Sequence, residues 1–404
     1  MSKLRLNGFF QSEKRFNGKS GVNQTFLKYG CEVGVNLSQV EAEKLKKMAI
    51  VCSDELKIPS YSPNSGQMPL GIYLKYLIKK SLGRAIRQPY YDYFWTTALL
   101  ADAVIDYCHF SGDPWLLCAV EEYHKTSRKK VAFKYPKYVD EAMNGNSLIR
   151  LRSNSYVELK EVDPSHLADF LKNRHKKTHS GTLPYRQTNR EVVLIDTVGM
   201  ICPFMAQYGD CFGDELALGL AIKQIVEFIK KGFSSTSGLP YHGYNNVSGA
   251  NLGGEGWGRG IGWFLLGAVG VLEFIPKTNS NYNILATKFI ELIGLIFDYQ
   301  AANGAFPTQF SQSIVEADAD SGATAMIADA CVKGIGLGLI DSSYIRACTT
   351  AMKFIYSVTD ENGRVQECSG EASGANRYSV NKGWYPWGQG PSVSLGSRLL
   401  SFNL

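Results

Sequence analysis

The chain has 404 residues, of which 45% are hydrophobic, 12% aromatic and 20% charged, the profile of a globular protein with enough apolar surface for one large core or two ordinary ones. The net charge of +6 comes from scattered lysines and arginines with no basic run, which excludes a nucleic-acid-binding arm. No stretch of 18 uninterrupted apolar residues is present to span a membrane.

The N-terminus, MSKLRLNGFFQSEKRFNG, has no apolar core and no small-residue cleavage site, so it does not read as a signal peptide. The nine cysteines are odd in number, and no two of them form Cys-x-x-Cys. They read as reduced thiols acting as small hydrophobes in a cytoplasmic protein. The stretch 37–56 has helical spacing at Val40, Leu45, Met48, Ala49 and Cys52, with Ser38 placed as its cap. Residues 58–68 read as a loop. From Ile72 onward the apolar spacing is helical almost throughout. Tyr93–Tyr107 is apolar on all sides, as a buried helix is, and Trp115–His124 follows the Gly112-Asp113-Pro114 turn.

The second half repeats itself. A glycine turn followed by an apolar residue recurs at Gly181, Gly238, Gly304 and Gly363, at intervals of 57, 66 and 59 residues, a period that indicates repeated supersecondary units. An amphipathic helix precedes each of the last three turns, with stripes at Ile222, Ile225, Val226 and Ile229, at Leu285, Phe289, Leu292, Ile293 and Ile296, and at Ile345, Cys348, Met352 and Ile355. After each of the four turns comes a glycine- and alanine-rich apolar helix: Thr197–Tyr208, Gly262–Phe274, Gly322–Ile340 and Pro391–Phe402. The one β-branched run, Val192–Ile195, abuts a helix. Half-exposed helices alternating with buried ones describe an outer ring around an inner ring. The fold class is therefore all-α, an (α/α)6 barrel of six helical hairpins, with an open solenoid as the alternative. Residues 71–404 form the barrel as one domain, and 1–70 form an N-terminal extension packed on it.

In such a ring the first turns of the inner helices line a single mouth. Those positions carry Tyr93, Thr96, Asp140, Asp196, Trp257, Arg259, Trp263, Asp320, Trp387 and Gln389, with Arg186 and His242 in the preceding turns. Aromatic faces stack on sugar rings, and arginine pairs with carboxylates or holds hydroxyls. Each residue also has an ordinary reading that stays open at this point. An aspartate in the first turn of a helix is usually a cap or dipole partner, a turn histidine is usually structural, and Trp257 and Trp263 fit a core equally well. His175 and His179 have metal-ligand spacing but no acidic third ligand nearby, so no metal site is read there. Gly256–Gly262 has no strand before it and is not read as a phosphate cradle.

Four stretches carry a resemblance: VLIDTVGM, WGRGIGW, DSGATAM with the following KGIGLGLID, and WGQGPSVSL. From about residue 90 to the end the chain resembles the unsaturated glycuronyl hydrolases, glycoside hydrolase families 88 and 105, and most closely the unsaturated rhamnogalacturonyl hydrolase branch. The resemblance implies an (α/α)6 barrel and removal of a 4,5-unsaturated uronic acid from the non-reducing end of lyase-generated oligosaccharides. An acid protonates C4, water adds at C5, and the hemiketal opens to release the next sugar, with no metal or organic cofactor. It further implies Asp196 as general acid and base, Asp140 as the second essential carboxylate, and His242, matching the family's histidine before the Trp-Arg-Trp motif, as the third catalytic residue. Arg259, Trp263, Trp257, Arg186, Tyr93 and Thr96 would contact the substrate. Ile261 stands where the family usually has asparagine, which bears on substrate choice. The implied partner is an oligosaccharide, with neither nucleic acid nor membrane. An inverting glycosidase or polysaccharide lyase on the same toroid, and a non-catalytic saccharide-binding protein, are the competing readings.

Overall fold

The computed structural model describes residues 38–57, 74, 78, 81, 93–127, 136–153, 163–310, 318–372, 374–375 and 377–402. The loop expected over 58–68 lies outside the described residues, as does most of the stretch just after Ile72.

Twelve α-helices among the described residues form six successive pairs. The first members are α1 (Gln39–Lys57), α3 (Leu117–Ser127), α5 (Ser165–Asp169), α7 (Glu215–Lys231), α9 (Tyr282–Phe297) and α11 (Ile345–Ser357). The second members are α2 (Trp95–Ser111), α4 (Gly145–Ser153), α6 (Ile195–Phe212), α8 (Gly258–Leu272), α10 (Ser321–Gly336) and α12 (Pro386–Leu399). The second members make the inner ring. α2 packs on α4, α4 on α6, α6 on α8, α8 on α10, α10 on α12, and α12 returns to α2, so the ring is closed and no solenoid edge is left. Burial follows the sequence pattern: nearly every residue of α8, α10 and α12 is buried, whereas α7, α9 and α11 bury one stripe each.

The four repeat turns share one backbone solution. Gly181, Gly238, Gly304 and Gly363 have φ of 82°, 74°, 95° and 82°, a left-handed conformation that costs glycine little and other residues much. In three of them the glycine N–H donates to a carbonyl three residues back, at Thr178, Ala301 and Asp360. Each of those residues in turn donates its N–H to the carbonyl just after the glycine, at Thr182, Ala305 and Arg364. The period seen in the sequence is thus a repeated hydrogen-bonded turn.

α1 packs against α2, α3 and α12, burying Leu45, Met48, Ala49 and Cys52. Its start is a capping box: Ser38 Oγ accepts the Glu41 N–H at 3.3 Å, and Glu41 accepts the Ser38 N–H at 2.8 Å. At the end of the ring away from the helix starts, buried and half-buried ion pairs tie four inner helices together. Arg150 of α4 pairs with Asp102 and Asp106 of α2, and Arg398 of α12 pairs with Asp106 and with Asp329 of α10. Among the described residues no helix is long and apolar enough to cross a membrane.

A small antiparallel sheet departs from the sequence reading. β1 (Val192–Leu194), β2 (Tyr241–Asn245) and β3 (Asn251–Glu255) are joined in that order. β2 (YHGYN) and β3 (NLGGE) carry no β-branched residue, and only Tyr241 and Tyr244 favour a strand, so local propensity gives a weak strand signal. Close approach explains them: a Cβ on Gly243 would come within 2.4 Å of the Val193 carbonyl. β3 also corrects the expectation that no strand precedes Gly256–Gly262. These glycines are packing devices, since a Cβ on Gly258 would meet the Pro307 carbonyl at 2.3 Å and one on Gly262 the Met326 Cβ at 2.5 Å. A two-residue pair, β4 (Cys368–Ser369) with β5 (Lys382–Gly383), lies before α12.

Candidate active site

Asp196 is delivered to the mouth by the junction of β1 and α6. The helix begins at Ile195 with Leu194 as its N-cap residue and no side-chain cap. Asp196 therefore lies one residue inside the helix, and its carboxylate meets His242 instead of a free backbone N–H. The antiparallel register sets this up: Leu194 opposes Gly243, so the residues just past Leu194 face those just before Gly243. His242 Nε2 lies 3.1 Å from Asp196 Oδ2, with the histidine buried and 13% of the aspartate side chain exposed. The imidazole is packed against two rings. It stacks on Trp257 at 4.4 Å and 28°, and on Tyr378 at 5.6 Å and 18°. His242, expected in a turn, stands on β2.

Asp140 lies in a 3₁₀ turn, Val139–Asn144, packed against α2 and α6. Two adjacent carboxylates divide the work there. Glu141 caps the turn, accepting the N–H groups of Lys137 at 2.5 Å and Tyr138 at 3.2 Å. Asp140, freed from capping, turns inward and is wholly buried. Its Oδ2 accepts Arg186 Nη2 at 2.9 Å and the Tyr185 hydroxyl at 3.4 Å, while Oδ1 has no partner. Burial holds the Asp140 carboxyl above its ordinary range, against the opposing pull of the Arg186 charge and hydrogen bonds. Arg186 is itself held by ring faces, 3.9 Å from the Tyr185 centroid and 4.9 Å from that of Tyr138. Tyr185 joins the two centres: burial first, then the charges of Asp140, Asp196 and Glu371, hold its phenol well above the usual range against Arg186. Both carboxylates lie at the same end of the ring, Asp140 just before α4 and Asp196 in the first turn of α6.

The other half of the mouth is braced. Arg259, between the rings of Trp257 at 4.9 Å and Trp387 at 5.4 Å, donates Nη1 to the carbonyl and hydroxyl of Ser369, both at 2.9 Å, and Nη2 to the Gly370 carbonyl at 3.0 Å. Asp320 is the N-cap of α10. Its Oδ1 accepts the N–H groups of Gly322 at 2.9 Å and Ser369 at 3.2 Å, and its Oδ2 the Ser369 hydroxyl at 2.5 Å. Gln389 ties α12 to Val365, Trp384, Met48 and Gly363. Trp263 packs in the core, edge-on to Trp95 at 5.8 Å and against Gly199, where a Cβ would stand 2.5 Å from its ring. Ile261 is fully buried in the wall of α8. Tyr93 has φ of 59° and stacks on Tyr123 at 5.8 Å. Thr96 is buried with its hydroxyl unpartnered.

The structure therefore gathers Asp140, Arg186, Asp196, His242 and Trp257 at the mouth and builds Arg259 and Trp263 into its wall. Sequence reasoning missed Tyr185 and Tyr378. Tyr185 adjoins Arg186 in a turn already singled out, but Tyr378 lies in a loop with no periodicity to flag it. Beside the aromatic stack a groove of about 560 Å³ opens, lined by Gly254, Thr308, Gln309, Asp318, Tyr378 and Lys382 among others. Among the described residues no three His, Cys, Asp or Glu side chains gather to hold a metal ion.

The model of Glycosyl Hydrolase Family 88 matches residues 77–402. The chain belongs to that family. As a family 88 member it is a glycoside hydrolase, and solved structures share its fold. A possible GH105 member from Salmonella enterica subsp. enterica serovar Paratyphi A aligns with a TM-score of 0.73 at 17% identity, over 96% of this chain and 99% of that one. A possible GH105 member from Klebsiella pneumoniae subsp. pneumoniae gives 0.72 at 17% identity, over 96% and 99%. The unsaturated glucuronyl hydrolase of Bacillus sp. GL1, responsible for the degradation of glycosaminoglycan, gives 0.62 at 15% identity, over 88% and 96%. No curated protein sequence matches the chain.

Proposed function

We propose that this family 88 hydrolase removes a 4,5-unsaturated uronic acid from the non-reducing end of lyase-generated oligosaccharides, in the manner of an unsaturated rhamnogalacturonyl hydrolase. The observation that carries this reading is Asp196, a partly open carboxylate in the first turn of an inner helix that caps nothing and is hydrogen-bonded to a buried histidine.

The chemistry follows from the residues. Asp196 gives a proton to C4 of the enol ether, and positive charge develops at C5. Water adds there and returns its proton to the Asp196 carboxylate, so one group serves as acid and then base. The hemiketal at C5 opens to a ketone, which leaves a hemiacetal at C1; its collapse to an aldehyde breaks the C1–O bond and frees the next sugar as an alcohol. Asp140, pinned by Arg186 and Tyr185, keeps Oδ1 for a substrate hydroxyl. Arg186 has 32% of its side chain exposed and uses two of its five N–H groups, on Asp140 and the Tyr185 carbonyl. Its remaining donors suit the uronate carboxylate.

The test is the ultraviolet absorbance of the conjugated double bond, which falls as the enzyme turns over an unsaturated rhamnogalacturonan disaccharide. No fall with folded protein, over a panel that includes glycosaminoglycan disaccharides, would overturn the proposal.

A further inference from the structure

We infer that Tyr378 is a positioning residue that fixes the tautomer of His242 and so keeps one proton on the Asp196–His242 pair, the proton delivered to the substrate. The inference rests on the function proposed above. It begins from a count of hydrogens at one phenolic oxygen. Tyr378 Oη lies 3.1 Å from the Ala375 carbonyl and 3.2 Å from His242 Nδ1. A phenol has one proton and a carbonyl has none, so the Tyr378 proton goes to Ala375. The bond to His242 then needs its hydrogen on Nδ1. Burial pushes the Tyr378 phenol up to about 12, against the Gly254 backbone hydrogen bond, so the phenol keeps the proton it gives to Ala375.

An imidazole with hydrogen on Nδ1 and no further charge presents a bare lone pair at Nε2. That nitrogen faces Asp196 Oδ2 at 3.1 Å, and two lone pairs do not bond. A second proton must lie between them, either on the carboxyl or on Nε2. In both arrangements the pair carries one proton more than an ionised Asp196 beside a neutral imidazole. When that proton passes to C4 the pair is left with one negative charge. The proton released by the attacking water restores it, so the pair ends each turnover as it began.

The arrangement is built with close tolerances. The three rings of Tyr378, His242 and Trp257 lie nearly parallel, with Trp257 and Tyr378 5.2 Å apart at 22°, so the imidazole is packed against both neighbours. Gly253, with φ of 82°, is what admits Ala375 and Tyr378 to this position. A Cβ there would come within 2.1 Å of the Ala375 carbonyl, 2.6 Å of His242 Cβ and 3.0 Å of the Tyr378 hydroxyl.

The experiment is nitrogen-15 NMR of His242 in the full chain without substrate, on the parent and on Tyr378→Phe, which keeps the ring and removes the oxygen. In the parent at neutral pH, Nδ1 carries the hydrogen. In Tyr378→Phe, hydrogen appears on Nε2 with Nδ1 bare, and kcat falls about 10- to 100-fold, within the span of general acid catalysis, while KM changes less than about threefold. A parent spectrum with Nδ1 bare overturns the inference without any variant. So does a Tyr378→Phe protein whose tautomer and kcat match the parent. If the tautomer is as described and no unsaturated uronide is turned over, the positioning role stands without its reaction and the proposed function is what falls.

Discussion

Asp320 and Asp196 both stand at the start of an inner helix, on α10 and α6, and they serve different ends. Asp320 caps its helix and holds Ser369, so each of its oxygens accepts a hydrogen bond from the protein. Asp196 has slipped one residue into its helix, leaves the cap position to Leu194, and meets only His242. Asp140 goes further and keeps one buried oxygen without any partner. The arginines divide in the same way: Arg259 is held by two residues of the chain ahead of α12, while Arg186 keeps donors free beside Asp140. One half of the mouth is a frame whose polar groups are satisfied internally. The other half holds polar groups short of partners, which is the condition of a site awaiting a ligand.

The comparison is broken most severely at Asp196. Asp196→Asn should lower kcat about 10³-fold, within the range of general acid–base catalysis. Its unfolding free energy should stay within about 0.5 kcal/mol of the parent, because no cap is lost. Retained turnover would remove Asp196 from its role. Asp320→Ala should show the reverse. It forfeits a cap and leaves the Ser369 N–H and hydroxyl without their acceptor, for a loss of about 2–4 kcal/mol in chemical denaturation. Well below its melting temperature its kcat should stay within about threefold of the parent, which is the scale of a site that keeps its general acid. A kcat loss matching that of Asp196→Asn would erase the distinction between the halves.

Asp140 sharpens it through pH. Its folded carboxyl is held above the ordinary 3.8 by burial, despite Arg186, so the folded protein binds that proton more tightly than the unfolded chain. Protons bound to the native state then exceed those on the unfolded state in the window above 3.8. The contribution to stability is present below that window and lost as pH rises through it. Asp140→Asn should flatten that decline, leaving the variant as stable as the parent at pH 7 or about 1 kcal/mol more so, with kcat down about 10²-fold. A variant markedly less stable at pH 7 would contradict it. The smallest effect is expected at Thr96, whose buried hydroxyl has no partner in the fold. Thr96→Val should leave stability unchanged or raised by about 0.5 kcal/mol, while KM rises several-fold. A loss above about 1 kcal/mol would show that the hydroxyl is bonded within the protein.

Much of this frame is legible in the sequence. The recurrence at Gly181, Gly238, Gly304 and Gly363 predicts repeated units, and all four glycines adopt the left-handed turn that explains the recurrence. The amphipathic stripes of α7, α9 and α11 and the small-residue helices between them predict which ring each occupies, because burial on one face and on all faces leaves different periodicities. Asp140, Asp196 and His242 are legible as candidates from their places in that repeat. The strands β2 and β3 are not, since YHGYN and NLGGE become a sheet only by pairing with β1.

By itself, then, the sequence determined the four repeat turns, the helices around them and the set of polar side chains expected at one mouth, with a closed ring preferred to a solenoid, because spacing and turn chemistry act over a few residues. Only the tertiary structure decided which of those side chains still have something to offer. Asp320 and Arg259 are satisfied by Ser369, 49 and 110 residues away, and His242 has its ring nitrogens set by Asp196 and by Tyr378, 46 and 136 residues away. A hydrogen-bonding group's remaining capacity depends on every partner within about 3 Å, and those partners are assembled only when the ring closes.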